Sequence, residues 1–169
     1  MIEMKVMGIA LDVRTNSPIV VLHDLENRKA LPIWIGSAEA SAIIRCIEGL
    51  VVARPMTHDL MTNFIEKAGY KLDKIEINNV EKETYYSTLY LSKNDEILEL
   101  DARPSDAIAI AMRCNAPIFV TANVLMTGSV STDTAKDAEE AHEFKDFIQN
   151  IKPSDFEKLM KGKHEESDQ

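Results

Sequence analysis

The sequence predicts an α/β domain on the α+β border: a mixed β-sheet with antiparallel hairpins and a βαβ crossover, helices packed on the sheet, and a helical C-terminal appendage. Three observations carry that prediction. Two β-rich runs, residues 2–14 and 18–25, are split by the turn formers Thr15-Asn16-Ser17-Pro18, the pattern of an antiparallel hairpin. Residues 70–101 return to β character, as a meander. After it comes DAIAIAMRC, residues 106–114, which is apolar nearly all round, as a buried helix tolerates and a surface helix does not.

In chain order, Leu31 to Ile35 continues as a third strand that Gly36 and Ser37 stop. Ser37 is suited to cap a helix over 38–48, with Glu39 in its first turn and Gly49 closing it. After the Arg54-Pro55 break, Leu60, Met61, Phe64, Ile65 and Ala68 fit a second helix ending at Gly69. Within the meander, Ile75 and Ile77 alternate with Lys74, Glu76 and Asn78, Thr84 to Ser92 is rich in Tyr, Thr and Leu, and Asn94-Asp95 turns the chain before Ile97 to Leu100. Asn115 and Pro117 end the buried helix, and Ile118 to Thr121 forms a last strand. Strand, helix and strand over 96–121 suit a right-handed crossover.

The expected organisation is a domain over 1–125, a mobile loop over 126–134, an acidic helical tail over 135–162 and a disordered end over 163–169. Ala141, Phe144, Ile148 and Ile151 share one face of the first tail helix, and Pro153-Ser154-Asp155 restarts a shorter one.

Of the 169 residues, 45% are hydrophobic and 28% charged, a soluble globular composition. The net charge of −9 argues against a general electrostatic grip on duplex nucleic acid. Residues 123–169 carry −5 of it, with six Lys and no Arg; all six arginines fall in residues 1–122. The acidic tail thus reads as an electrostatic screen. Apolar runs such as Pro18 to Leu22 and Ala107 to Met112 are far shorter than the roughly 18 residues of a membrane span. With no secretory signal at the N-terminus either, a cytoplasmic protein without membrane partners is expected. Cys46 and Cys114 form no C-x-x-C pair and read as small buried apolar residues. Trp34, Tyr85, Tyr86 and Tyr90 lie in β-runs, where a core or subunit-interface role is favoured over stacking on bases.

Two segments share a chemical form. Arg54-Pro55-Met56-Thr57-His58-Asp59 and Arg103-Pro104-Ser105-Asp106 each set an Arg before a Pro, then a hydroxyl residue, then an Asp at a helix start. Free N–H groups, a hydroxyl donor and an Arg fork suit a phosphodiester or another anion. The aspartates Asp59 and Asp106 are candidate ligands for Mg²⁺ or Mn²⁺; no organic cofactor is indicated. His58 is the candidate proton carrier. Neighbours on a helix do not face each other, so a His58–Asp59 pair is not assumed. The same residue types also serve as plain helix caps, and Lys152-Pro153-Ser154-Asp155 repeats the pattern in the tail.

Leu31-Pro32-Ile33-Trp34-Ile35-Gly36 with Ala38-Glu39-Ala40, the segment Arg54 to Leu60, Asp101 to Ile108 and Ala116-Pro117-Ile118 together closely resemble the bifunctional nuclease domain family. The resemblance extends over about residues 4–125. It implies a compact α/β domain, a homo-oligomer with a dimer favoured, and hydrolysis of DNA or RNA. It carries over Glu39, Arg54, Thr57, His58, Asp59, Arg103, Ser105 and Asp106 as site candidates. The expected roles are Arg54, Thr57, Arg103 and Ser105 on the phosphate, and His58, Asp59, Asp106 and Glu39 in catalysis. Two alternatives stand beside this: a non-enzymatic oligomeric binding or regulatory module, and a binder of a small phosphate or carboxylate metabolite.

Overall fold

The computed structural model describes residues 1–131. The N-terminal hairpin consists of β1 (Ile2–Asp12) and β2 (Ser17–Asp24), with Asp12 opposite Ser17. Asn16 turns the chain at φ 54°, a left-handed conformation that Asn adopts more readily than most residues. β3 (Lys29–Trp34) lies antiparallel to β2, and Val20, Leu22, Leu31 and Ile33 from this pair enter the main core.

Helix α1 (Ser37–Ile47) has Gly36, not Ser37, at its cap position, and no side chain bonds there. Ser37 is instead the first helical residue, which corrects the expected cap. The Gly36 carbonyl accepts the first intrahelical bond, from the Ala40 N–H at 2.9 Å, which sets the cap one residue before Ser37; the Glu39 carboxylate folds back into the space a Cβ on Gly36 would need. Helix α2 (Thr57–Lys67) follows. Gly49 and Gly69, at φ 62° and 82°, lie just beyond α1 and α2, in the left-handed conformation that ends helices.

The meander is β4 (Lys71–Glu81), β5 (Thr84–Lys93) and β6 (Glu96–Ala102), antiparallel throughout. Helix α3 (Pro104–Cys114) then leads to β7 (Ile118–Val120), which pairs parallel to β4 and antiparallel to β1. β4 and β6 both oppose β5, so β6 and β7 run the same way. The crossover is therefore real, but it lands between β4 and β1 rather than beside β6. Ala107 through Ala111 are all buried because α3 is packed by α1 and α2 as well as by β4 and β5. Truncating Ile108 there would cost about 2–5 kcal/mol.

Two elements follow the strand expected to be last. Helix α4 (Ala122–Gly128) buries Val124 and Leu125, and β8 (Val130–Ser131) pairs with β3. Residues 126–131, expected as loop, thus hold the end of α4 and all of β8. The apolar pair just upstream anchors a run whose small polar composition suggested no structure. The described strands form one mixed sheet in the order β6-β5-β4-β7-β1-β2-β3-β8. The expectations for residues 132–169, including both tail helices and the disordered end, lie outside the described residues. Among the described residues no helix is long and apolar enough to cross a membrane.

Two burial expectations change. Cys46 and Cys114 are half-buried free thiols. Trp34 is 54% exposed and Tyr86 40% exposed, so neither is a core residue of the single chain.

Candidate active site

Helices α1, α2 and α3 each carry an acid as their third residue: Glu39, Asp59 and Asp106. A carboxylate in the first turn is favoured by the unpaired N–H groups and partial positive charge of a helix start. What distinguishes these three is their partners. Asp106 accepts from His58 Nε2 at 2.9 Å and from Arg103 Nε at 2.8 Å. Arg103 Nη2 also donates to Glu39 Oε1 at 2.7 Å. One chain of contacts therefore runs from α2 through α3 to α1: His58, Asp106, Arg103, Glu39.

Asp59 faces away from this cluster. Its Oδ1 accepts from Arg113 Nε at 2.7 Å and its Oδ2 from the Met56 N–H at 2.9 Å. Arg113 also donates to the Ala109 and Ala42 carbonyls, tying α1, α2 and the last turn of α3 together. Asp106 and Arg113 are seven residues, about 10 Å, apart along α3. The neighbours His58 and Asp59 grip these two points, which fixes the start of α2 against the side of α3. His58 is thereby paired with Asp106, and not with Asp59, as helix geometry requires.

The charges follow the contacts. Burial acts to raise the Asp106 carboxyl, but hydrogen bonds and charge from Arg103 and His58 outweigh it and hold the group below the ordinary carboxylate range. The Arg113 hydrogen bond, with the Met56 N–H, lowers Asp59 despite some desolvation. Arg103 is raised, first by Asp106 and then by Glu39. With Asp106 accepting from Nε2–H, neutral His58 has Nδ1 as its basic nitrogen, and Nδ1 makes no hydrogen bond among the described residues.

The other candidates are placed differently. Arg54 is exposed and forms no hydrogen bond or ion pair among the described residues, and Thr57 is the exposed first residue of α2. Ser105 is 6% exposed and lines a cleft of about 390 Å³ beside Arg103 and Trp34. The two proposed metal ligands do not share a site: both oxygens of Asp59 face Arg113 and Met56, and both oxygens of Asp106 face His58 and Arg103. Among the described residues no group of three or more His, Cys, Asp or Glu is suited to hold a metal ion. The donor set thus does not fit a ready-made divalent-cation centre. Sequence reasoning missed Arg113 as a structural partner of the site. Its signal was a lone cation inside an apolar helix, which requires a buried acceptor.

A mixed sheet whose helix starts meet in a His–Asp–Arg–Glu cluster defines a small α+β domain with one polar centre at the helix ends. The model of the bifunctional nuclease domain family matches residues 20–133, and the chain belongs to that family. Glu39, Arg54, His58, Asp59, Arg103 and Asp106 all lie within the match. An uncharacterized protein of Mycobacterium tuberculosis is 34% identical over 162 residues, covering 91% of this chain and 97% of that protein. Bifunctional nuclease 1 of Oryza sativa subsp. indica is 32% identical over 97 residues, 56% of this chain and 29% of that protein. Bifunctional nuclease 2 of Arabidopsis thaliana is 32% identical over 108 residues, 62% of this chain and 33% of that protein. The chain thus spans about a third of these plant proteins.

Proposed function

We propose that the chain hydrolyses phosphodiester bonds of DNA or RNA at the His58–Asp106–Arg103 cluster. The observation that carries this reading is the 2.9 Å contact between His58 and Asp106. A carboxylate on one ring nitrogen orients the imidazole and stabilises the imidazolium that forms when the other nitrogen takes a proton. In this reading His58 Nδ1 accepts the proton of an attacking water as its oxygen bonds phosphorus. The same proton then serves the departing oxygen as the P–O bond breaks. Arg103, whose side chain is 67% exposed despite its two acid partners, and Arg54, which has no acid partner among the described residues, hold the phosphate oxygens. Thr57 and Ser105 stand at the same two helix starts, where a hydroxyl and free N–H groups add neutral donors. Glu39 positions Arg103.

Both oxygens of Asp59 and of Asp106 already accept from Met56, Arg113, His58 and Arg103, and in this reading the proton and phosphate roles fall to the chain's own groups. The test is cleavage of labelled single-stranded DNA and RNA with Mg²⁺, Mn²⁺ or EDTA, comparing wild type with His58→Ala and Asp106→Ala. Both substitutions should abolish most activity. Activity that survives both unchanged would mark a contaminating nuclease and remove the site.

A second reading, a homo-oligomeric module without catalysis, is favoured by one observation. Leu60 and Phe64 on α2 are 63% and 67% exposed and lie four residues apart on one face, with Met56 and Met61 also exposed. Such a stripe suits a subunit contact, with a dimer the simplest closed form. This reading predicts assembly that weakens on Phe64→Ser, seen by light scattering, with no cleavage in any buffer.

A further inference from the structure

The cleft beside the cluster has its own chemistry. It lies where the end of β3, the β4–β5 turn and the start of α3 come together, and its volume is about 390 Å³, within the usual range of small-ligand sites. Trp34, Gly36, Glu83, Tyr85, Arg103 and Ser105 are among its lining residues. Arg103 therefore belongs to two places at once: the cleft, and the contact chain that ends on Asp106 and Glu39.

We infer that this cleft is a nucleobase subsite, which takes one unpaired base adjoining the phosphate held at Arg103. The inference rests on the nuclease reading and adds a substrate class to it: single-stranded nucleic acid. Three features carry it. Trp34 is 54% exposed, yet its indole N–H is anchored on Asp12 Oδ2 at 3.1 Å, so the ring is held in place while presenting surface to the cleft. Tyr85 is a second aromatic residue lining the cleft, half-buried against the core and backed by Gly128 of α4, where the phenol oxygen stands in the space a Cβ would need. Glu83 puts a negative charge in the cleft, which turns a phosphate toward Arg103 and leaves the interior to an uncharged ring. Aromatic walls next to a phosphate-holding cation are how single strands are gripped without a sequence code, and a base still stacked in a duplex cannot enter.

Trp34 is the chain's single tryptophan, so its fluorescence reports the cleft directly. The experiment titrates the full chain, in EDTA at low salt, with an eight-nucleotide oligodeoxyadenylate and with an abasic deoxyribose-phosphate oligomer of equal length. Saturable quenching by the first and none by the second is expected. Binding of the labelled oligodeoxyadenylate, read by anisotropy, should weaken about tenfold in Trp34→Ala and far less in Trp34→Phe, which loses the same bond to Asp12 but keeps a ring. Equal quenching by the abasic oligomer, no quenching at all, or equal losses in the Ala and Phe variants would each overturn the subsite. EDTA removes any metal-dependent cleavage, and reading both signals at the time of mixing, before product accumulates, removes the metal-independent cleavage proposed above. A chain that stacks bases but cuts nothing keeps the subsite and loses the hydrolysis, whereas one that cuts without quenching loses the subsite alone.

Discussion

His58 and Asp106, 48 residues apart in sequence, meet at 2.9 Å across the starts of α2 and α3. Everything proposed for the site follows from that contact, because it joins the two Arg-Pro segments that the sequence shows as separate. Its second link, Arg103 to Glu39 at 2.7 Å, extends the cluster to a third helix.

Arg113 should matter more to stability than to chemistry. Its side chain is 11% exposed and its carboxylate partner Asp59 26% exposed. Arg113→Met leaves Asp59 without its cation and removes the additional side-chain donor from the helix carbonyls of Ala42 and Ala109. A loss of about 2–4 kcal/mol is expected, the low end reflecting the partial exposure of Asp59. Urea unfolding measures it, and a loss below about 0.5 kcal/mol, the ordinary surface value, would contradict the tie between the three helices.

Gly36→Ala separates geometry from stability. The backbone there is extended, at φ −77° and ψ 161°, so Ala is conformationally acceptable. Its Cβ would nonetheless meet the Glu39 carboxylate, a flexible group that can move aside. Unfolding free energy should change by less than about 1 kcal/mol, while the Glu39–Arg103 contact opens and cleavage of single-stranded oligonucleotides falls severalfold. Unchanged cleavage would mean that Glu39 does not position Arg103.

The depressed Asp106 carboxyl has a pH signature. Because its pKa is lower in the folded chain than the unfolded value of about 3.9, the unfolded state binds more protons as pH drops. Its stabilisation is complete above that value and fades as pH falls through the folded pKa. The difference in Tm between wild type and Asp106→Asn should therefore be largest above about pH 5 and shrink in stronger acid. Scanning calorimetry at several pH values checks this, and a difference that grows on acidification would reverse the sign.

Much of this architecture could be read from local pattern. The turn formers around Asn16, the alternation through Ile75 and Ile77, and the all-round apolar run of Ala107 to Ala111 each encode their own element, because burial and turn geometry act over a few residues. The candidate residues were readable for the same reason: Thr57, His58 and Asp59 sit at a visible helix start. Partners were not readable. Nothing near His58 says that it will reach Asp106 instead of Asp59, and nothing near Arg113 names Asp59, since both pairings depend on how α2 lies on α3. Ser37 failed as a cap because the helix begins one residue earlier than its pattern suggests, with the Ala40 N–H bonded to the Gly36 carbonyl. α4 was hidden because it is a short element that ends in the small polar run beginning at Thr127, while what holds it is the burial of Val124 and Leu125 against the rest of the fold.

The most direct test is the cleavage rate of His58→Ala on a labelled single-stranded oligonucleotide, with the variant purified in parallel with wild type and its Tm matched. If His58 moves the proton, kcat/KM should fall by about 10²- to 10⁴-fold while the fold is retained. A folded His58→Ala protein that cleaves at the wild-type rate would contradict the assignment of the site.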